Sequence, residues 1–144
     1  MCSQKEPIRV SETISIPSVS EKVADVAEKI SAVLERFLPD ETARFDVRLA
    51  VQEAVMNAVE HGNKNDNRKR VTVEYTVDDE KVGVTVTDEG SGFNPETVPD
   101  PTLEENLLKE RGRGLFLIRN LVDRAYHNER GNQITMIKFR RAAG

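Results

Sequence analysis

The most regular pattern in the chain is an apolar stripe between residues 47 and 59. Small apolar side chains recur there at steps of three and four: Val47, Ala50, Val51, Ala54, Val55, Ala58 and Val59. This spacing predicts an amphipathic helix that begins after Asp40, runs to His61 and ends with Gly62 at its C-cap position. A helix with one apolar face has to bury that face, so the stripe requires a second layer of structure to cover it.

One predicted strand precedes this helix, and two predicted pairs of strands follow it. An edge strand is expected over Ile8 to Ile16, before Pro17. Two strands with alternating apolar residues follow the helix, joined by a tight turn at Asp78 to Glu80. A second hairpin is expected from Arg124 to Arg140, around Gly131 and Asn132. The alternating residues of the first hairpin are Val71, Val73, Tyr75 and Val77, then Val82, Val84 and Val86.

Two further helices complete the order of elements. A capping box of Ser18 and Glu21 predicts a helix that ends before Pro39, and a third helix is expected from Gly112 onward. The resulting order is β-α-α-β-β-α-β-β. It predicts an α+β fold, a two-layer sandwich in which helices cover one face of a mixed, mostly antiparallel sheet.

Composition restricts the class of protein. The 144 residues, 38% hydrophobic and 32% charged, fit one globular domain over residues 1–144. The 21 basic and 25 acidic residues give a net charge of −4, which does not favour direct nucleic-acid or membrane binding. Cys2 is the single cysteine, so no intrachain disulfide can form. With no signal-peptide core and no apolar run of membrane-spanning length, a cytoplasmic protein is expected.

The polar face of the central helix has two interpretations. Glu53, Asn57, Glu60 and His61 are expected to share the face opposite the apolar stripe. A solvated surface explains such a face in most helices. A carboxamide oxygen can also ligate Mg²⁺, and a carboxylate four residues earlier can take a proton from an attacking hydroxyl.

Two glycine-containing segments have similar alternatives. Asp88 follows a predicted strand and is followed by Gly90 and Gly92. This segment is either an ordinary turn or a ligand site. In a ligand site, the acidic side chain would accept a hydrogen bond from an amine and the glycine backbone would pack on a flat ligand. The segment 111–114, Arg-Gly-Arg-Gly, is either a hinge into a helix or a phosphate site built from backbone N–H groups. The proline-containing loop of residues 89–111 between them is long enough to suggest a functional lid.

In this order, the three segments resemble a known set of motifs. Glu-x-x-x-Asn on a helix, Asp-x-Gly-x-Gly after a strand and Gly-x-Gly before a later helix are similar to the N, G1 and G2 boxes of the ATPase superfamily of gyrase, heat-shock chaperones, histidine kinases and mismatch-repair proteins (GHKL). Within it, residues 50–62 and 111–123 resemble the anti-sigma-factor serine kinases. The similarity extends from Ile8 to Arg140.

The resemblance implies ATP and Mg²⁺ as cofactors and assigns roles to named residues. Glu53 would be the general base, Asn57 the Mg²⁺ ligand and Asp88 the acceptor for the adenine amine. The other residues implied in nucleotide binding are Gly90, Gly92 against the base, Gly112 and Gly114 as backbone donors to the phosphates, and Arg111 near the γ-phosphate. Arg113 differs from the small or apolar residue expected between those two glycines, and it either adds a phosphate contact or points outward. His61 could orient Glu53 or a phosphate, or make a helix-end hydrogen bond. Residues 94–111 would be the ATP lid.

The resemblance also implies partners. The acceptor would be a serine or threonine of an anti-anti-sigma protein, and the kinase would sequester a sigma factor, with a homodimer expected. Because the chain is short, it is expected to transfer the phosphoryl group to a separate protein. The alternative is a nucleotide-dependent regulatory switch with little kinase activity. The basic segment Lys64–Arg70 lacks interleaved aromatic residues, so a solvated loop or docking patch is favoured over nucleic-acid binding.

Overall fold

One five-stranded antiparallel sheet organises the protein. The structure, a computed structural model, describes residues 10–90 and 114–140. Its strands are β1 (Val10–Pro17), β2 (Arg70–Val77), β3 (Lys81–Thr87), β4 (Arg124–His127) and β5 (Gln133–Phe139). They lie in the order β1-β2-β3-β5-β4, and every pairing between these strands is antiparallel. The predicted α+β sandwich is confirmed, with an antiparallel sheet in the described part of the chain.

The helices lie between the strands in sequence. They are a 3₁₀ turn (Ser20–Lys22), α1 (Val23–Phe37), α2 (Glu41–Asn57), a π turn (Ala58–Gly62) and α3, described over 114–121. Asp40 caps α2, because its Oδ1 accepts a hydrogen bond of 3.0 Å from the Thr42 N–H. In the described residues, no helix is long and apolar enough to cross a membrane.

The core forms where the α2 stripe meets one face of the sheet. The register places Val73 opposite Val86 and Tyr75 opposite Val84, so these side chains point to the same side. All the alternating residues predicted for this hairpin are at most 2% exposed. The seven residues of the predicted α2 stripe are buried as well. The expectation of helices on one face is therefore confirmed.

The predicted capping box at Ser18 is wrong. Val19 occupies the N-cap position of the 3₁₀ turn, and no side chain caps that turn. Ser18 is instead 1% exposed, and its hydroxyl donates to the Lys69 carbonyl at 2.7 Å. Because β1 pairs with β2 up to Pro17 and Arg70, Ser18 lies beside Lys69 in the loop before β2 and bonds to it instead of capping the turn.

The predicted C-cap at Gly62 is also wrong. Helix α2 ends at Asn57 and continues as the π turn, in which the Asn63 N–H donates to the Ala58 carbonyl at 2.8 Å. The left-handed backbone angles fall two and three residues after Gly62, at Lys64 (φ 52°) and Asn65 (φ 58°). The glycine at position 62 therefore serves a purpose other than a left-handed turn.

Candidate active site

An open cleft lies between the end of α2, the described part of α3 and the adjoining edge of the sheet. Its volume is about 430 Å³, including the solvent at its mouth. Apolar side chains form much of its wall, and amide and carboxylate groups stand among them, which is the usual composition of a small-molecule site. The lining residues are Ala54, Asn57, Ala58, Val86, Asp88, Leu115, Ile118, His127, Gly131, Asn132, Gln133 and Ile134.

Asn57 and Gly114, which are far apart in the sequence, meet in this cleft. A Cβ atom on Gly114 would lie 2.8 Å from Nδ2 and 3.3 Å from Oδ1 of Asn57. A side chain at position 114 would therefore displace the carboxamide. Glycine lets the backbone of α3 approach a polar group that faces the cleft, so the first and third predicted motifs adjoin.

Asp88 lies in the same cleft, directly after β3. Its backbone N–H donates to the Asn132 carbonyl at 2.9 Å, and its Oδ1 accepts from the Gly90 N–H at 2.8 Å. A Cβ on Gly62 would lie 2.2 Å from Asp88 Oδ2, and a Cβ on Gly90 would lie 2.1 Å from the Gly62 carbonyl oxygen. Neither position has room for a Cβ atom, so both require glycine. The π turn and the Asp88 turn interlock at these two glycines, and this contact fixes the position of the Asp88 carboxylate.

Asn63 is a buried polar residue that the sequence did not single out. It is 0% exposed, and its Nδ2 donates to Ser18 Oγ at 2.7 Å and to the Arg70 carbonyl at 3.0 Å. Its Oδ1 accepts from the Glu89 N–H at 2.8 Å. The only sequence signal was its position after Gly62. Asparagine in a polar segment is usually exposed, so its burial could not be foreseen.

Glu53 and His61 lie near the cleft, and neither is among the described residues that line it. Glu53 lies one helical turn before Asn57 and is partly exposed; His61, in the π turn, is partly exposed too. The expectation that His61, four residues after Asn57, shares its face assumed a continuous α-helix. A π turn has more residues per turn, so it shifts the direction of side chains beyond Asn57.

Several predicted site residues lie outside the described residues. They are Gly92, Arg111, Gly112 and Arg113, together with the whole of the predicted lid at 94–111. The structure therefore gives positions for Glu53, Asn57, His61, Asp88, Gly90 and Gly114. Of these six predicted residues, Asn57 and Asp88 line the cleft, while Gly114 and Gly90 pack against the groups that line it.

The hairpin of β4 and β5 contributes cleft residues that the sequence analysis did not assign to a site. Asn132 Nδ2 donates to the Asp88 carbonyl at 3.1 Å, and Asn128 Nδ2 donates to Asn132 Oδ1 at 2.8 Å. His127 lines the cleft from β4, next to Tyr126, which is 54% exposed on the other face. The two-residue alternation along β4 could have indicated the direction of His127.

The basic segment before β2 is held by local contacts. Arg68 donates to both carboxylate oxygens of Asp66, each at 3.0 Å, and these hydrogen bonds lower the pKa of Asp66. Arg70 Nε donates to Ser15 Oγ at 2.7 Å. Two of the basic side chains are therefore engaged within the protein. The preference for a solvated loop or docking patch over a nucleic-acid site stays a prediction.

The family described as histidine kinase-like ATPase domain matches residues 16–138. The chain belongs to this family. A serine-protein kinase RsbW from Listeria monocytogenes is 31% identical over 135 residues, covering 88% of this chain and 85% of the relative. One from Staphylococcus aureus is 32% identical over 132 residues, with 86% and 83% coverage. The predicted resemblance to the anti-sigma-factor serine/threonine kinases is confirmed, and with it the protein kinase class.

The fold also has a solved counterpart. The crystal structure of the RsbU and RsbW domains of a Mycobacterium tuberculosis protein superposes with a TM-score of 0.64 and 22% identity. The match covers 93% of this chain and 34% of that longer chain. At this identity the likeness supports the fold.

Proposed function

We propose that this kinase transfers the γ-phosphoryl group of Mg-ATP to a serine or threonine hydroxyl of a separate anti-anti-sigma protein, and that it sequesters a sigma factor. The observation that carries the proposal is the convergence of Asn57, Gly114 and Asp88 on one cleft. These residues come from three motifs of the sequence, and their convergence is what a single bound nucleotide requires.

The cleft suits an adenine base at its Asp88 end. Val86, Ile118 and Ile134 offer apolar wall for a flat ring, and the Asp88 carboxylate offers acceptors for an exocyclic amine. Oδ1 already accepts from the Gly90 N–H. An ionised carboxylate has about four acceptor positions, so it can accept from protein donors and from a ligand amine together.

The opposite end suits a cation held largely by phosphates. The described residues contain no group of three or more His, Cys, Asp or Glu side chains that could hold a metal. Asn57 would supply one amide oxygen to Mg²⁺, and phosphate oxygens and water would supply the others, as is usual for this ion. Bound Mg²⁺ would neutralise phosphate charge. Gly114 would keep the backbone of α3 close to the phosphates.

Glu53 is the proposed general base. It lies one turn before Asn57 and is partly exposed, so a hydroxyl from a partner protein can approach it. Glu53 would take the hydroxyl proton as the oxygen bonds to the γ-phosphorus, while the bond from that phosphorus to the β–γ bridging oxygen breaks and ADP leaves. Positioning and charge neutralisation supply most of the acceleration in such transfers.

We propose that the kinase acts in the cytoplasm as a homodimer. The sheet face opposite the helices presents partly exposed threonines, including Thr72, Thr76, Thr85 and Thr135. None of the described helices covers this face, and we propose it as the surface that a second copy contacts. Sedimentation analysis tests the dimer: a monomeric mass at micromolar concentration would refute it.

The decisive experiment is phosphoryl transfer from γ-labelled ATP to small proteins encoded beside this one. We expect Glu53→Gln to abolish labelling while ADP affinity stays close to wild type. Glu60→Gln, at an exposed position beyond Asn57, is the matched control and should retain transfer. Partner capture by the wild type without any transfer would replace the kinase with a nucleotide-dependent switch.

A further inference from the structure

We infer that Asn63 is a positioning residue for nucleotide recognition, because it fixes the Asp88 turn against the end of helix α2. This inference rests on the proposed nucleotide site. It concerns a residue outside the three sequence motifs, so it adds a fourth position on which binding depends.

The contacts of Asn63 join the two ends of the cleft. Its own N–H closes the π turn by donating to the Ala58 carbonyl at 2.8 Å, directly after Asn57. Its side-chain Oδ1 holds the Glu89 N–H at 2.8 Å, next to Asp88. One residue therefore connects the helix that carries Asn57 to the turn that carries Asp88.

The Asn63 side chain is shielded from solvent. The Asn63 side chain is 0% exposed and uses both amide hydrogens and its carbonyl oxygen within the protein. Removing the carboxamide would leave the Glu89 N–H, whose hydrogen bond is partly buried, without its acceptor in the protein, and loss of this bond favours movement of the segment. Gly90 and Gly62 are already in close contact, so the Asp88 turn cannot move closer to the π turn. Movement would take Asp88 away from the cleft.

Ser18 provides a matched control for a role in stability alone. Its hydroxyl belongs to the same network, accepting from Asn63 Nδ2 at 2.7 Å and donating to the Lys69 carbonyl at 2.7 Å. It lies on the side of Asn63 that faces β1. Ser18→Ala removes these two bonds and leaves the contact between Asn63 and Glu89 in place.

The test compares Asn63→Ala with Ser18→Ala in the full chain. ADP affinity is measured by calorimetry, unfolding by urea titration, and exchange of the Glu89 amide by NMR. We expect Asn63→Ala to weaken ADP binding at least tenfold and to accelerate Glu89 exchange. Ser18→Ala should lower stability while ADP affinity stays within twofold of wild type. Its Glu89 amide should exchange no faster than the loss of stability accounts for.

A second variant guards against an Asn63→Ala protein that does not fold. Asn63→Asp retains an acceptor for Glu89 and loses both donors, so it should lower stability while ADP affinity stays within about threefold. Affinity that follows stability across all folded variants, or an Asn63→Ala protein that binds ADP normally, would overturn the inference. A wild-type protein that does not bind ADP would instead refute the proposed nucleotide site.

Discussion

Substitution of Gly90 by alanine tests the interlock between the Asp88 turn and the π turn. The added Cβ would lie 2.1 Å from the Gly62 carbonyl oxygen and 2.7 Å from its carbon, whereas ordinary contacts are 3.4–4 Å. Both atoms belong to the backbone, so no side-chain rotation relieves the overlap. The two turns must separate by about 1 Å, and overpacking of this kind costs about 1–3 kcal/mol.

The prediction is decisive because the expected change in stability has opposite signs with and without the interlock. Gly90 does not occupy the left-handed region, so an alanine backbone is allowed there. Without the interlock, the loss of unfolded-state freedom would stabilise Gly90→Ala by about 0.4–1 kcal/mol. With it, we expect a net loss of about 1–2 kcal/mol. ADP binding should weaken at least tenfold because the Asp88 carboxylate moves with the turn.

Urea denaturation and calorimetry with ADP provide the assay, and Gly83→Ala provides the control. A Cβ on Gly83 would have its nearest neighbour, Thr76 Oγ1, at 3.2 Å, and a side-chain oxygen of this kind can shift. Gly83 does not line the cleft, so Gly83→Ala should change stability by less than about 1 kcal/mol and leave ADP affinity unchanged. A Gly90→Ala protein that is more stable than wild type, with normal ADP affinity, would refute the interlock.

Two further predictions concern the fold. Burial and the hydrogen bond to Glu12 raise the pKa of Tyr75 from 10.0 to about 12. The folded state therefore keeps a proton that the unfolded chain loses, and up to about 2 kcal/mol of stability should disappear as pH rises from about 10 to 12. Urea titrations at pH 9 and pH 11.5 should show a smaller decline for Tyr75→Phe, and an equal decline would contradict this assignment. Asp40→Ala should cost about 1 kcal/mol through loss of the N-cap bond to Thr42; unchanged urea stability would mean that the cap contributes nothing.

Much of the fold was predictable because side-chain periodicity depends on local backbone geometry. The alternation from Val71 to Val86 identified two strands and their buried face, and the stripe from Val47 to Val59 identified the helix that covers it. The candidate site was predictable in part. The motif positions Asn57, Asp88 and Gly114 converge in the structure. The roles proposed for these residues, and for Glu53 and His61, stay predictions.

The errors occurred where distant segments meet. Ser18 and Gly62 both have residue types that suit helix ends, and local rules assigned them accordingly. In the structure, Ser18 bonds the loop before β2, and Gly62 makes room for Asp88. Those partners are far along the chain, so no local pattern could indicate them.

The sequence by itself determined the elements, the buried faces and the three motifs of a histidine kinase-like ATPase domain. Only the tertiary structure decided the strand order, the π turn and the contacts of Asn63. The physical reason is that helices and strands follow from repeating local geometry, whereas the place of a buried polar group follows from the donors and acceptors that packing brings to it. Asn63 shows both the local and the tertiary effect: its backbone ends a helix, and its side chain holds the turn that carries Asp88.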